Sequence, residues 1–155
     1  MPSDLDRTDR VLLSALQHNA RLSIAELADR VALSTSPCWR RVKRLEAHGY
    51  IVGYQAVLSP KALGFGVTAF VSIMMDSHGR DAAQAFEQRL MEIPEIVACH
   101  HVSGRYDFWL EVLARDLESF GEFAREVLQR LPGVKEIYSS FSYKPIKART
   151  LPIVR

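Results

Sequence analysis

Arg40, Arg41, Lys43 and Arg44 put four cations into five consecutive positions, with Trp39 directly before them and Glu46 as the nearest acid. A cluster that dense can neutralise the phosphates of a polynucleotide, and it equally suits a solvated helix face. Arg40 and Lys43 are the candidates for base edges or nearby phosphates, and Arg41 and Arg44 for flanking phosphates. Trp39 can pack half-buried or lay an apolar surface on thymine methyls and sugars. Ser34, Thr35 and Ser36 lie just upstream, and if they open a helix the amides of Thr35 and Ser36 can also meet a phosphate. Double-stranded DNA is the partner that this set of side chains fits.

Other chemistry is sparse. His100 and His101 are the best material for a catalytic site, but neighbours on a strand point to opposite faces and cannot share a metal or a substrate. No nucleophile–base pair, glycine-rich phosphate loop or metal-spaced cluster is visible, so no catalytic residue, metal ligand or cofactor is assigned. Cys38 and Cys99 stand alone, which fits two reduced, buried thiols. An enzyme on a ferredoxin-like scaffold, or an oligomeric metabolite-binding protein, is the alternative class of function; the lack of a catalytic constellation argues against the first and the cation cluster against the second.

The net charge is only +2 over 155 residues, but it is unevenly placed. Residues 1–58 carry eight Lys/Arg against six Asp/Glu, while residues 59–155 carry twelve of each, so the whole excess lies in the first part. A chain this long and 48% apolar can bury one good core or two small ones. The apolar run over residues 65–75 is broken by Gly66, Thr68 and Ser72 and is far shorter than the roughly 20 residues that span a bilayer. The start, Met1-Pro2-Ser3-Asp4, lacks the basic and apolar stretches of a secretory signal, and a cytoplasmic protein is expected.

Three helices are expected first. Asp6 can cap a helix carrying Leu12, Leu13, Ala15 and Leu16 that stops near Asn19. Ser23-Ile24-Ala25-Glu26 is a capping box opening a short second helix. Ser34 can cap the third, Pro37 is tolerated in its first turn, and Gly49 can end it in the left-handed conformation. On this third helix Cys38, Val42 and Leu45 point inward, leaving Ser36, Trp39, Arg40, Lys43 and Ala47 outward. Short helix, tight turn and longer basic helix make a helix-turn-helix over residues 25–44, within a module spanning residues 1–58.

After a short β-prone stretch over residues 50–58, expected as an extended linker strand, and a linker over 59–64, the pattern reads strand, helix, strand, strand, helix, strand over residues 65–155. The expected elements are a strand from Phe65 to Met75, a helix carrying Ala82, Phe86, Leu90 and Ile93, and strands over 97–102 and 108–113. A helix capped by Asp116 and a strand over 134–143 follow. The first strand is apolar on both faces, which asks for cover from the chain's own helices and from a second copy. This is the βαββαβ, ferredoxin-like order, and the fold class is α+β: a three-helix winged helix-turn-helix domain followed by a ferredoxin-like domain. Leu90-x-x-Ile93-Pro94-x-Ile96 recurs as Leu128-x-x-Leu131-Pro132-x-Val134, in keeping with two similar halves.

These residues resemble the Lrp/AsnC family of amino-acid-responsive transcription regulators over nearly the whole chain. The resemblance is carried by Leu5-Asp6-x-x-Asp9, Glu26-Leu27-Ala28, the run from Leu33 through Pro37-Cys38-Trp39-Arg40-Arg41 to Glu46, and Gly49-x-Ile51-x-Gly53-Tyr54. Val102-x-Gly104-x-Tyr106-Asp107, Leu131-Pro132-Gly133-Val134 and Ser139-Ser140-Phe141 carry it in the second half. The resemblance implies a homodimer formed through the sheets, dimers assembled into octamers or similar discs, and DNA along the outside. It also implies an amino-acid effector bound between dimers, beside Gly104, Arg105, Tyr106 and Asp107 and the last strand at Ser140, Phe141 and Ser142. Arg105 departs from the family, whose members often carry an acidic or small residue there. It can clamp a carboxylate or stand as a solvated turn cation. Asp107 can hold an α-amino group or cap the turn backbone.

Overall fold

The Asp6 carboxylate accepts the Asp9 amide at 2.8 Å while the Asp9 carboxylate accepts the Asp6 amide at 3.2 Å, and this reciprocal capping starts α1 (Arg7–His18). The same device starts α2 (Ile24–Arg30), where Ser23 and Glu26 exchange hydrogen bonds at 2.7 and 3.2 Å. Helix α3 (Thr35–Ala47) follows a turn and ends at His48, with Gly49 at φ 73° reversing the chain. A computed structural model describes residues 5–76, 80–147 and 151–152 of the 155; the expectation resting on the first four residues lies outside the described residues, as does the side chain of Ala82.

Two units make up the chain: residues 1–57 with 147–155, and residues 58–146. Lys147, Leu151 and Pro152 therefore group with the helices, whereas the sequence pattern carries the second module through to residue 155. So composed, the first unit holds eleven Lys/Arg against six Asp/Glu, a net +5, and the second nine against twelve, a net −3. The segregation of charge is stronger than a division at residue 58 indicates.

The first unit is built on Leu12, Ala15, Leu16, Leu27, Ala28, Cys38, Val42 and Leu45, all buried. Residues 50–58, expected as a strand, form none. Backbone groups there have no neighbouring strand to pair with, and Val52 and Val57 are almost fully exposed, so β-propensity alone does not make an element.

The second unit follows the expected order closely. Its elements are β1 (Val67–Met75), α4 (Arg80–Leu90), β2 (Ile96–His101), β3 (Phe108–Ala114), α5 (Leu117–Glu126) and β4 (Val134–Phe141), with a 3₁₀ turn at Lys61–Leu63 in the expected linker. The strands form one antiparallel sheet in the order β2-β3-β1-β4. Alternation sorts the faces. Ala69, Val71, Ile73 and Met75 of β1 and Phe108, Leu110, Val112 and Ala114 of β3 are buried with Phe86, Leu90, Phe120 and Leu128. Thr68, Phe70, Ser72 and Met74 lie on the opposite face and stay half-buried. On that open face Phe70 stacks on Trp109 at 5.0 Å and His100 lies 5.9 Å from Trp109. His101 stacks instead on Phe108 of the covered face, so the two histidines point apart as expected. Cys38 is buried, but Cys99 is exposed, contrary to the expectation for both thiols, because β2 is an edge strand.

Candidate functional site

The inward stripe of α3 is Cys38, Val42 and Leu45, each at most 5% exposed. That burial turns Ser36, Trp39, Arg40, Lys43 and Ala47 to the exposed side, as the periodicity requires. Arg40 makes no ion pair among the described residues, and Trp39 is 50% exposed. Ser34 stands at the N-cap in extended conformation, but its hydroxyl bonds to no amide of the helix, which leaves the first-turn donors of Thr35 and Ser36 open to an anion.

The four cations are not equivalent. Arg41 donates to Asp6 at 2.6 Å and to Asp9 at 2.9 Å, and Arg44 donates to the other oxygen of Asp9. Asp9 is completely buried. It neutralises two guanidinium groups that lie three residues apart on one helix and would otherwise repel. The Asp9 amide, and then Arg41, hold the Asp6 carboxyl below the usual range, and these same bonds keep Arg41 charged. Arg41 and Arg44, expected as flanking phosphate ligands, thus both fasten α3 to α1 while their side chains stay partly exposed. Lys43 pairs with Glu46 at 2.7 Å, and Glu46 also accepts the Tyr54 hydroxyl at 2.9 Å. Desolvation, with Glu46 beside it, pushes Tyr54 up to about 12. Lys43 is exposed, so this pair is a weak one.

In the second unit, Gly104 turns at φ 126°, a conformation that favours glycine, and sends the chain back into β3. Arg105 reaches Glu136 of β4 at 3.2 Å and sits 5.2 Å over the Tyr106 ring; the Tyr106 hydroxyl donates to the same Glu136 oxygen at 3.2 Å. Tyr106 also faces Tyr138 at 6.3 Å, and burial followed by the Glu136 bond raises its pKa. Glu136 belongs to this cluster yet goes unassigned in the sequence. Its only signal is its place on the open-face phase of β4, opposite Met74.

Asp107 accepts the Met75 amide at 2.7 Å and donates its own amide to Ile73 at 2.9 Å. These bonds tie the turn to the end of β1. Ser140, Phe141 and Ser142 sit elsewhere. Ser140 is paired with Phe70, Phe141 meets Phe120 edge-on at 5.1 Å, and the Ser142 amide donates to Thr68 at 2.9 Å. Ser140 lies four steps along the strand from Glu136, roughly 13 Å at the usual rise. Within one chain the turn and the Ser140–Ser142 segment are therefore not brought together.

Among the described residues no His, Cys, Asp and Glu cluster can hold a metal, and no helix is long and apolar enough to cross a membrane.

Comparison with known proteins places the geometry. Residues 5–52 match the winged helix-turn-helix DNA-binding model and residues 68–152 the Lrp/AsnC ligand binding domain. The chain is 39% identical to the DNA-binding transcriptional activator DecR of Escherichia coli K12 over 150 residues, 96% of this chain and 99% of that one. It is 36% identical to the leucine-responsive regulatory protein of the same organism, covering 98% and 93%. A solved transcriptional regulator of Neisseria meningitidis, in complex with L-Met, superposes with a TM-score of 0.92 at 39% identity, covering 96% and 97%. A DNA-binding helical module joined to this ligand-binding fold, matched along nearly its full length, makes the chain a member of the Lrp/AsnC family of transcription regulators.

Proposed function

We propose that this protein binds specific duplex sites through the exposed side of α3 and alters that binding when an amino acid occupies the second unit. The observation that carries the reading is the sorting of α3: Ser36, Trp39, Arg40 and Lys43 stay exposed, while Arg41 and Arg44 are held by Asp6 and Asp9. Arg40 and Lys43 reach base edges or adjacent phosphates, Trp39 lays its ring on the groove wall, and Ser34, Thr35 and Ser36 receive a phosphate at the helix start.

The working form is a homodimer closed through the open sheet face, and dimers assemble further into an octamer or similar ring. Half-buried Phe70 and Trp109 on that face support this, since a face of aromatic side chains gains by exclusion of water. Assembly also supplies what one chain lacks, by bringing Ser140, Phe141 and Ser142 of one copy toward the Gly104–Asp107 turn of another. The L-Met complex of the Neisseria relative makes an amino acid the first ligand to try. Arg105 takes its carboxylate; the Arg105–Glu136 pair is exposed and weak enough to open for a zwitterion.

Fluorescence anisotropy of a labelled promoter duplex against salt tests the DNA reading. The logarithm of the affinity falls with the logarithm of salt concentration, with a slope steeper than about −3 for a dimer using two phosphates per copy. Weak binding that ignores salt rejects the reading. For the effector, thermal stabilisation is screened with the twenty amino acids, and the responding one is then titrated. Arg105→Ala is expected to weaken that ligand about tenfold, in line with removal of one charge-assisted hydrogen bond, with DNA affinity in its absence unchanged. An identical titration curve removes Arg105 from the site.

A further inference from the structure

Gln17 extends from α1 and meets both main-chain groups of Leu151, 134 positions away. Its Nε2 donates to the Leu151 carbonyl at 3.0 Å, and its Oε1 accepts the Leu151 amide at 2.9 Å. A primary amide carries donor and acceptor side by side, so it reproduces one partner of the hydrogen-bonded residue pair found between antiparallel strands. This is recognition of an extended backbone rather than of one side chain.

The clamp stands beside a groove of about 670 Å³ within the first unit, lined by Leu5, Leu13, Leu16, Ile51 and Tyr54, with Leu151 and Pro152 among its walls. Leu151 is still 67% exposed, so it borders the groove without filling it. The sequence continues with Ile153 and Val154, which lie outside the described residues. Two aliphatic residues thus follow the anchored position at the edge of an apolar depression, and Val52 on the same wall is 96% exposed. We propose that this groove is the seat of the chain's own C-terminal segment, anchored at Leu151 by the Gln17 amide and completed by the apolar residues that follow. The segment covers residues 50–55, which have no strand partner, and braces the same helix that presents Asp9 to Arg41 and Arg44.

Hydrogen–deuterium exchange of the intact protein, read on the C-terminal peptides, tests this. The Leu151 amide is expected to exchange at least about tenfold more slowly than in a free peptide of the same sequence. Gln17→Ala returns it to the free-peptide rate while the amides of α2 and α3 keep theirs. Leu151→Pro removes the donor without touching α1, and is expected to speed exchange at Ile153 and Val154. Free-peptide exchange in the unaltered chain, or protection that survives Gln17→Ala, overturns the proposal. So does protection that fades on dilution, since it places the segment on another copy.

Discussion

Asp9→Asn lowers the melting temperature of the first unit by more than about 10 °C, the largest stability change expected from any one polar substitution in this chain. The substitution keeps the size of the side chain and removes its charge, leaving Arg41 and Arg44 to face each other across a buried amide. Removing one partner from a buried ionic cluster costs about 3–5 kcal/mol, and the partial exposure of both guanidinium groups puts this case near the lower end. For a unit of this size each kcal/mol moves the transition by roughly 4–8 °C. Circular dichroism during heating reads the effect directly. A shift of only a degree or two would mean that Asp9 does not organise the cluster.

Arg40→Ala combined with Lys43→Ala acts in the opposite sense, on binding and not on folding. Both side chains are exposed, and the Lys43–Glu46 ion pair that the substitution abolishes contributes well under 1 kcal/mol. Two base or phosphate interactions at about 1–3 kcal/mol each amount to at least about a thirtyfold loss of affinity per copy for a specific duplex, with discrimination against other sequences falling in step. The salt slope becomes shallower by about two per copy. Gel shift and footprinting of the double variant, with its melting curve as a control, separate this from unfolding. Undiminished footprints would refute the assignment. Arg41→Ala provides the contrast: its first consequence is a lower melting temperature.

The pair of experiments divides four adjacent cations that are indistinguishable by type. Periodicity along α3 separates Cys38, Val42 and Leu45 from Arg40 and Lys43, because the 100° step between residues is a local property. It carries no sign that Arg41 and Arg44, at the border between the two faces, meet an acid 32 and 35 positions earlier. The same holds for the turn at Gly104: its residues are recognisable by type, whereas Glu136 joins them only because β4 lies beside β1. The β-prone residues 50–58 fail for the same reason in reverse, since a strand exists only where a neighbour supplies its hydrogen bonds.

Most caps, the helix faces, the succession of strands and helices along the chain and the position of the basic helix were determined by the amino-acid sequence alone, because each depends on residues within a few positions of one another. Tertiary structure alone decided which cations pair with the buried Asp9, which acid joins the Arg105 turn and which segment meets the Gln17 amide. Those outcomes depend on charges and amides brought together across 30 to 134 positions, and at Asp9 burial lowers the dielectric and makes the choice of partner decisive.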